Sequence, residues 1–285
     1  MSKTDMIFHL SDGRKLGYRE YGDSKGKPLF YFHGWPGSRL SGLETDEAGK
    51  KVHVRIISID RPGFGLSDYK KDRTLLDWPN DVVELANHLK IKKFSVMGVS
   101  GGGPYTAVTA YKIPKRVHKA GIVVGLAPVD IKGNLDKMSF FTRISWANYH
   151  RFPLARTIAG INGLLGYKYF PTLSLIIGFR AKEDQKMIKE KFGRRIDNSV
   201  KEAFRHGITG PVLDLKLYTD DWGFNLKDIT TKVYLWYGAK DQNVSLNMGN
   251  YYKSQIPKSE LFIDKNGGHL FRNKIEEKIL RTLTK

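Results

Sequence analysis

The 285-residue sequence predicts an α/β domain: a mostly parallel central sheet covered by helices on both faces, with a helical cap inserted into it. Three observations predict this class. Short apolar runs alternate with runs of helical spacing, and each apolar run is too hydrophobic for either side to face water, as in sheets buried on both faces. One of them, Phe94-Ser95-Val96-Met97, enters Gly98-Val99-Ser100-Gly101-Gly102 and passes at once into a helix-like stretch from Tyr105 to Ala110. Finally, the stretch between the apolar runs at Ala120 and Val233 is far too long for a simple crossover.

Taken in order, Ile7 to Leu10 and Lys15 to Tyr21 read as a hairpin joined by Ser11-Asp12-Gly13-Arg14, with Asp-Gly as its turn signal. Pro28 to Phe32 is a third strand, ending in His33-Gly34-Trp35-Pro36-Gly37-Ser38, and a polar stretch runs to Lys50. Val54 to Ile59 is a fourth strand, closing in the turn-rich Asp60-Arg61-Pro62-Gly63-Phe64-Gly65-Leu66-Ser67. Leu75 to Leu89 has helical spacing, with Pro79 at its start or as a kink. After the Ser100 strand and helix come strands at Ala120–Leu126, Val233–Tyr237 and Leu261–Ile263, then a helix from Leu270 to Leu283. Residues 1–129 and 227–285 are therefore expected to form the core domain. Residues 130–226 form the cap, rich in apolar side chains such as Phe140, Trp146, Leu164, Phe170, Ile176 and Phe179, and holding a charged helical run from Ala181 to Lys191.

Composition removes several classes. No run of 18 apolar residues exists, so a membrane span is not expected. The first residues show no apolar stretch and no small-residue cleavage site, so the expected location is cytoplasmic. The absence of cysteine removes disulfides, thiolate metal sites and a cysteine nucleophile. A net charge of +19 raises nucleic acid as a partner, but residues 131–225 hold 16 Lys/Arg against 9 Asp/Glu, a net +7 in a third of the chain. The excess is spread, not gathered into a stripe, which argues against nucleic acid. An anionic substrate or a loose association with a membrane surface is left open.

The chemistry centres on Ser100. A serine on a sharp strand-to-helix turn needs neighbours without Cβ atoms so that its hydroxyl stands clear, and the following helix points its free N–H groups at developing negative charge. A phosphate loop is the competing reading, but no Lys-Ser/Thr follows and no G-x-G-x-x-G is present. An attacking serine needs a base, an orienter for that base and oxyanion donors, and strand ends must supply them. Of eight histidines, His269 follows the last strand behind Gly267-Gly268, which lets its side chain reach back over the sheet. His9, His53, His88 and His118 read as ordinary histidines, His150 and His206 fall in the cap, and His33 reads as a brace for its own loop. Asp241, after the Val233–Tyr237 strand, is the candidate acid, with Asp130 as its competitor. The order Ser100, Asp241, His269 is nucleophile, acid, base.

Five stretches in order, His33-Gly34-Trp35-Pro36-Gly37, Asp60 to Ser67, Gly98 to Gly102, Gly238-Ala239-Lys240-Asp241 and Gly268-His269, resemble the α/β-hydrolase fold family of serine hydrolases. The resemblance runs from the first hairpin to the last helix and is least specific in the cap. It implies oxyanion donors at the backbone N–H groups of Gly101 and Trp35. It implies no metal and no organic cofactor, a small-molecule ester or related acyl substrate, and an acyl-enzyme mechanism. The His-Gly-Trp-Pro loop is also similar to that of epoxide hydrolases, but those carry an aspartate where this chain has Ser100. The His-Gly-Gly-Gly run of hormone-sensitive-lipase-like esterases is missing, and nothing marks an acidic pocket for the amine of an aminopeptidase substrate. Ester hydrolysis is the leading expectation; carbon–carbon or amide hydrolysis, or a slow-turnover ligand receptor, is the alternative.

Overall fold

In the computed structural model, which describes residues 4–169, 181–189 and 193–285, eight strands form one sheet in the order β1-β2-β4-β3-β5-β6-β7-β8. The strands are β1 (Met6–His9), β2 (Lys15–Gly22), β3 (Lys27–Phe32), β4 (Val54–Ile59), β5 (Phe94–Val99), β6 (Val117–Val123), β7 (Val233–Gly238) and β8 (Ser259–Asp264). Only the β1–β2 and β2–β4 pairings are antiparallel. From β4 to β8 all strands run parallel, so their carboxyl ends meet along one edge of the sheet. The hairpin turns at Gly13, whose φ of 86° a residue with a Cβ avoids.

Alternation along the central strands separates two cores. Phe30 and Phe32 of β3 point to one face with Val96, Ile122 and Leu235. Leu29 and Tyr31 point to the other with Met97, Val123 and Trp236. The first face is covered by α2 (Trp78–His88), α3 (Gly103–Lys112) and α9 (Leu246–Gln255), through Trp78, Val82, Leu85, Tyr105, Val108, Met248 and Tyr252. The second is covered by α1 (Asp46–Lys51) and α10 (Glu276–Thr284), through Ala48, Ile279, Leu280 and Leu283. Each fully buried Leu, Ile or Phe stabilises the fold by about 1.5–3 kcal/mol.

Between β6 and β7 the described chain is helical: α4 (Phe140–Arg151), α5 (Pro153–Tyr169), α6 (Lys182–Met187), α7 (Gly193–Ala203) and α8 (Thr209–Thr219). Phe170, Ile176, Phe179 and Lys191 lie outside the described residues. Several boundaries differ from expectation. The strand expected at Ala120–Leu126 ends at Val123, because the chain turns at Val124, whose φ is 43°. Pro79 sits in the first turn of α2, where its missing N–H costs nothing. The final helix starts at Glu276, and a short 3₁₀ turn occupies Phe271–Lys274 before it. Helices α1 and α9 were not expected; α1 is short and polar, and α9 holds two glycine- and asparagine-bearing turns that mask its periodicity.

Candidate functional site

Each sequence candidate follows the carboxyl end of a strand on one edge of the sheet: Trp35 after β3, Ser100 after β5, Asp241 after β7 and His269 after β8. Ser100 follows β5 in the left-handed region, with φ of 54°, while Val99 before it is extended. The chain must then fold back sharply, and the neighbouring glycines leave no room for anything larger. A Cβ on Gly98 would stand 2.1 Å from the Gly102 carbonyl oxygen, and one on Gly102 would stand 2.2 Å from that of Phe32. Ser100 itself is half-buried.

The loop after β3 packs directly on this turn. A Cβ on Gly34 would lie 3.3 Å from the Ser100 Cβ, and a Cβ on Gly101 would lie 3.0 Å from the Trp35 backbone nitrogen. The two N–H groups implied as oxyanion donors thus belong to backbone segments in contact. Two features hold the loop. The Trp35 indole N–H donates to the Pro211 carbonyl at 2.9 Å. Behind it, the buried Arg61 guanidinium donates to the carbonyls of His33 at 2.5 Å and Gly34 at 3.2 Å. His33 is fully buried; its Nδ1–H donates to the Gly34 carbonyl at 2.8 Å and its Nε2 accepts the Arg61 N–H at 3.4 Å. Burial and the adjacent Arg61 charge hold its pKa well below the ordinary imidazole value, so it is neutral. His33 therefore serves as a brace.

On the far side, Asp241 follows β7 and His269 follows β8. The His269 Nδ1–H donates to Asp241 Oδ2 at 2.7 Å, with both side chains buried. Asp241 Oδ1 accepts the backbone N–H groups of Asn243 and Val244 at 2.8 and 3.0 Å, which fixes the carboxylate's orientation. Burial opposes a positive charge on His269, but the Asp241 carboxylate outweighs it and raises the imidazole above its ordinary value of 6.5. Asp130 is exposed, on the rim of a cavity of about 880 Å³ shared with Trp222, Phe224 and Tyr251. The carboxylate that His269 meets is Asp241.

Two carboxylates at the site had no signal strong enough to single them out. Asp184, on α6, is buried and accepts the backbone N–H groups of His269 and Leu270 at 2.8 and 2.9 Å. It sits in the charged run from Ala181 to Lys191, where no pattern marks one acid over its neighbours. Asp214, on α8, is fully buried and accepts from Arg61 at 2.7 Å, Tyr218 at 2.9 Å, Tyr105 at 2.5 Å, and Arg73. A lone acid within Val212-Leu213-Asp214-Leu215 was the available clue. Arg61 thus links Asp214 to the loop that carries Trp35, and the Tyr218 hydroxyl would stand 2.6 Å from a Cβ on Gly101.

Known proteins share this fold. A family model described as alpha/beta hydrolase fold matches residues 27–271. The chain belongs to the α/β hydrolase fold family. An esterase from Exiguobacterium antarcticum superimposes with a TM-score of 0.72 at 19% identity, over 99% of this chain and all of that one. Among curated relatives, a non-heme chloroperoxidase of Streptomyces lividans is 31% identical over 132 residues, 44% of this chain and 46% of its own. A proline iminopeptidase of Lactobacillus helveticus is 35% identical over 97 residues, 32% of this chain and 33% of its own. The matched stretches span less than half the length of these curated relatives. The family match fixes the fold, and no described helix is long and apolar enough to cross a membrane.

Proposed function

We propose that this α/β hydrolase cleaves carboxylic esters of small apolar substrates through an acyl-enzyme on Ser100. The observation that carries the reading is the 2.7 Å contact between His269 Nδ1 and Asp241 Oδ2, placed on the same sheet edge as a serine held at φ of 54°. With Nδ1–H directed at Asp241, His269 Nε2 is free of its proton and acts as the base. It takes the proton from the Ser100 hydroxyl as the oxygen attacks the ester carbonyl. The oxyanion is held by the backbone N–H groups of Gly101 and Trp35, each worth about 3–4 kcal/mol if lost. The resulting imidazolium, stabilised by Asp241, protonates the leaving alcohol. Water then attacks the acyl-enzyme by the same base, releasing the acid and restoring Ser100.

In this reading the helices between β6 and β7 act as the cap that roofs the substrate. Amide substrates would use the same attack with an amine leaving group, as the name of the Lactobacillus relative recommends testing. The experiment is labelling with a fluorophosphonate probe, alongside turnover of activated esters and of proline p-nitroanilide. Ser100 should carry the only adduct, Ser100→Ala should abolish it, and esters should turn over faster than the anilide. An adduct elsewhere would overturn the site, and a faster anilide would move the activity to peptide bonds.

A further inference from the structure

We propose that the outer face of α4 and α5 docks on an anionic membrane surface. Along α5, Leu154, Ile158, Ile161, Leu165 and Tyr169 recur at steps of three and four residues and are all exposed, Leu154 to 69%. That spacing lays them on one side of the helix. The opposite side is already occupied. A Cβ on Gly160 would meet Val212 and Ile208, and one on Gly163 would meet Phe204, so this side packs on α8 and the turn after α7. Gly160 and Gly163 lie about 200° around the helix from Ile158 and Ile161, at roughly 100° per residue. The exposed stripe is therefore a second apolar face of the helix, separate from the packed one. On α4, Phe140 at 61% and Ile144 at 41% are exposed as well, and Phe152, at 58%, lies at the joint between the helices. Monomeric proteins rarely leave so many large apolar side chains contiguous and in water.

The charge pattern selects the occupant. Between Asp136 and Glu183 the sequence contains no Asp or Glu but seven Lys or Arg. Among the described residues, Lys137, Arg143, Arg151 and Lys168 of this stretch are exposed. Positive charge is spread over the whole molecule, and in this stretch Arg156 is buried and paired with Asp220, but Lys137, Arg143, Arg151 and Lys168 are exposed with no acid in the intervening sequence and are interleaved with exposed apolar groups. A second copy presenting the same face would oppose cation to cation across the contact. An anionic lipid surface satisfies both halves: headgroups meet the Lys and Arg tips, which snorkel, while the Phe, Leu and Ile side chains enter the acyl boundary. With 17 residues, α5 is about 25 Å long at roughly 1.5 Å per residue, a helix that lies along the interface.

The test uses the full chain and flotation with two vesicle types, phosphatidylcholine alone and phosphatidylcholine with a third of phosphatidylserine. The proposal expects flotation with the anionic vesicles at low salt, little with the neutral ones, and release as salt rises. Leu154→Gln with Ile158→Gln should weaken binding at least about tenfold. Arg143→Gln with Arg151→Gln should weaken it about fivefold for each cation removed. Unchanged thermal unfolding of the variants certifies that they fold. Should a variant not fold, hydrogen exchange of the unaltered protein supplies the answer, with vesicle-dependent protection expected in α4 and α5. Absence of flotation at low salt, equal binding to neutral vesicles, variants that bind fully, or protection confined to other helices would each overturn the proposal. So would a dimer in sedimentation equilibrium that Leu154→Gln with Ile158→Gln dissociates. None of these readings depends on esterase activity, so failure here leaves the Ser100 reading untouched.

Discussion

Around His269 two carboxylates, Asp241 and Asp184, favour the imidazole proton. Asp241 takes the Nδ1–H, and Asp184 accepts the backbone N–H of the same residue from the opposite side. If Asp241 orients and stabilises the imidazolium, Asp241→Asn should lower kcat on the order of 10⁴-fold, whereas Asp130→Asn should leave it nearly unchanged. Steady-state kinetics on one activated ester separates the two, and the reverse pattern would refute the assignment. The pH profile gives an independent reading. Because His269 titrates above its ordinary value of 6.5, activity should fall on the acid side through a limb that lies above that pH. The Asp184 charge contributes to this rise. Asp184→Asn should therefore move the limb toward lower pH, since an imidazole without that anion gives up its proton more readily. A limb that stays in place would show that Asp184 only holds the backbone. Asp184 was illegible in the sequence because nothing in Lys182-Glu183-Asp184-Gln185 tells which acid turns inward. The sequence singles out Ser100, Asp241 and His269 as candidates because each follows a strand, Ser100 and His269 beside a glycine pair.

At the level of single elements, the β5–α3 turn is defined by what it excludes. Gly102→Ala would drive its Cβ to 2.2 Å from a backbone carbonyl that cannot move without shifting β3. Overpacking of this kind costs about 1–3 kcal/mol, and here it should also pull the Trp35 loop away from Gly101. We expect lower denaturant midpoints and a loss of kcat for Gly102→Ala; Gly207→Ala, where nothing lies within 4 Å but φ is 80°, should cost stability with no loss of kcat. Helix α8 is held by a different kind of contact. Asp214→Ala would leave Arg61 and Arg73 buried without their carboxylate, which costs about 3–5 kcal/mol in urea unfolding. Burial would raise the Asp214 carboxyl, but Arg61 and Arg73 outweigh it and hold it below its ordinary 3.8. Its contribution is thus complete above pH 3.8 and disappears as the pH falls through the lower folded-state value.

Across the whole molecule, all eight strands were legible because apolar runs bounded by glycine, proline and aspartate leave little alternative. The order in which they pair was set by contacts no single strand encodes. The helices after β6 were legible only as a block, since their packing depends on partners distant in sequence: Ser199 on Ser38 and Ser41, Glu202 on Arg39, Asp214 on Arg61. These ties join α7 and α8 to the loops after β3 and β4 at several points. If these helices roof the substrate as proposed, short-to-medium acyl esters should be favoured. The ratio kcat/KM across p-nitrophenyl esters of rising chain length is expected to fall at long chains and on emulsified triglyceride. A steady rise with interfacial activation would contradict the reading.

The pairing of β6 with β7 spans roughly 110 residues of intervening chain. On a ribosome adding about 5–20 residues per second, β6 has emerged some 5–20 s before its neighbour exists. During that interval the N–H and C=O groups of Ala120–Val123 that pair with β7 have no such partner. Such an edge is a docking point for chaperones and, without them, for other nascent chains. Asp241 and His269 arrive only with β7 and β8, so the contact between them cannot form until both strands have emerged.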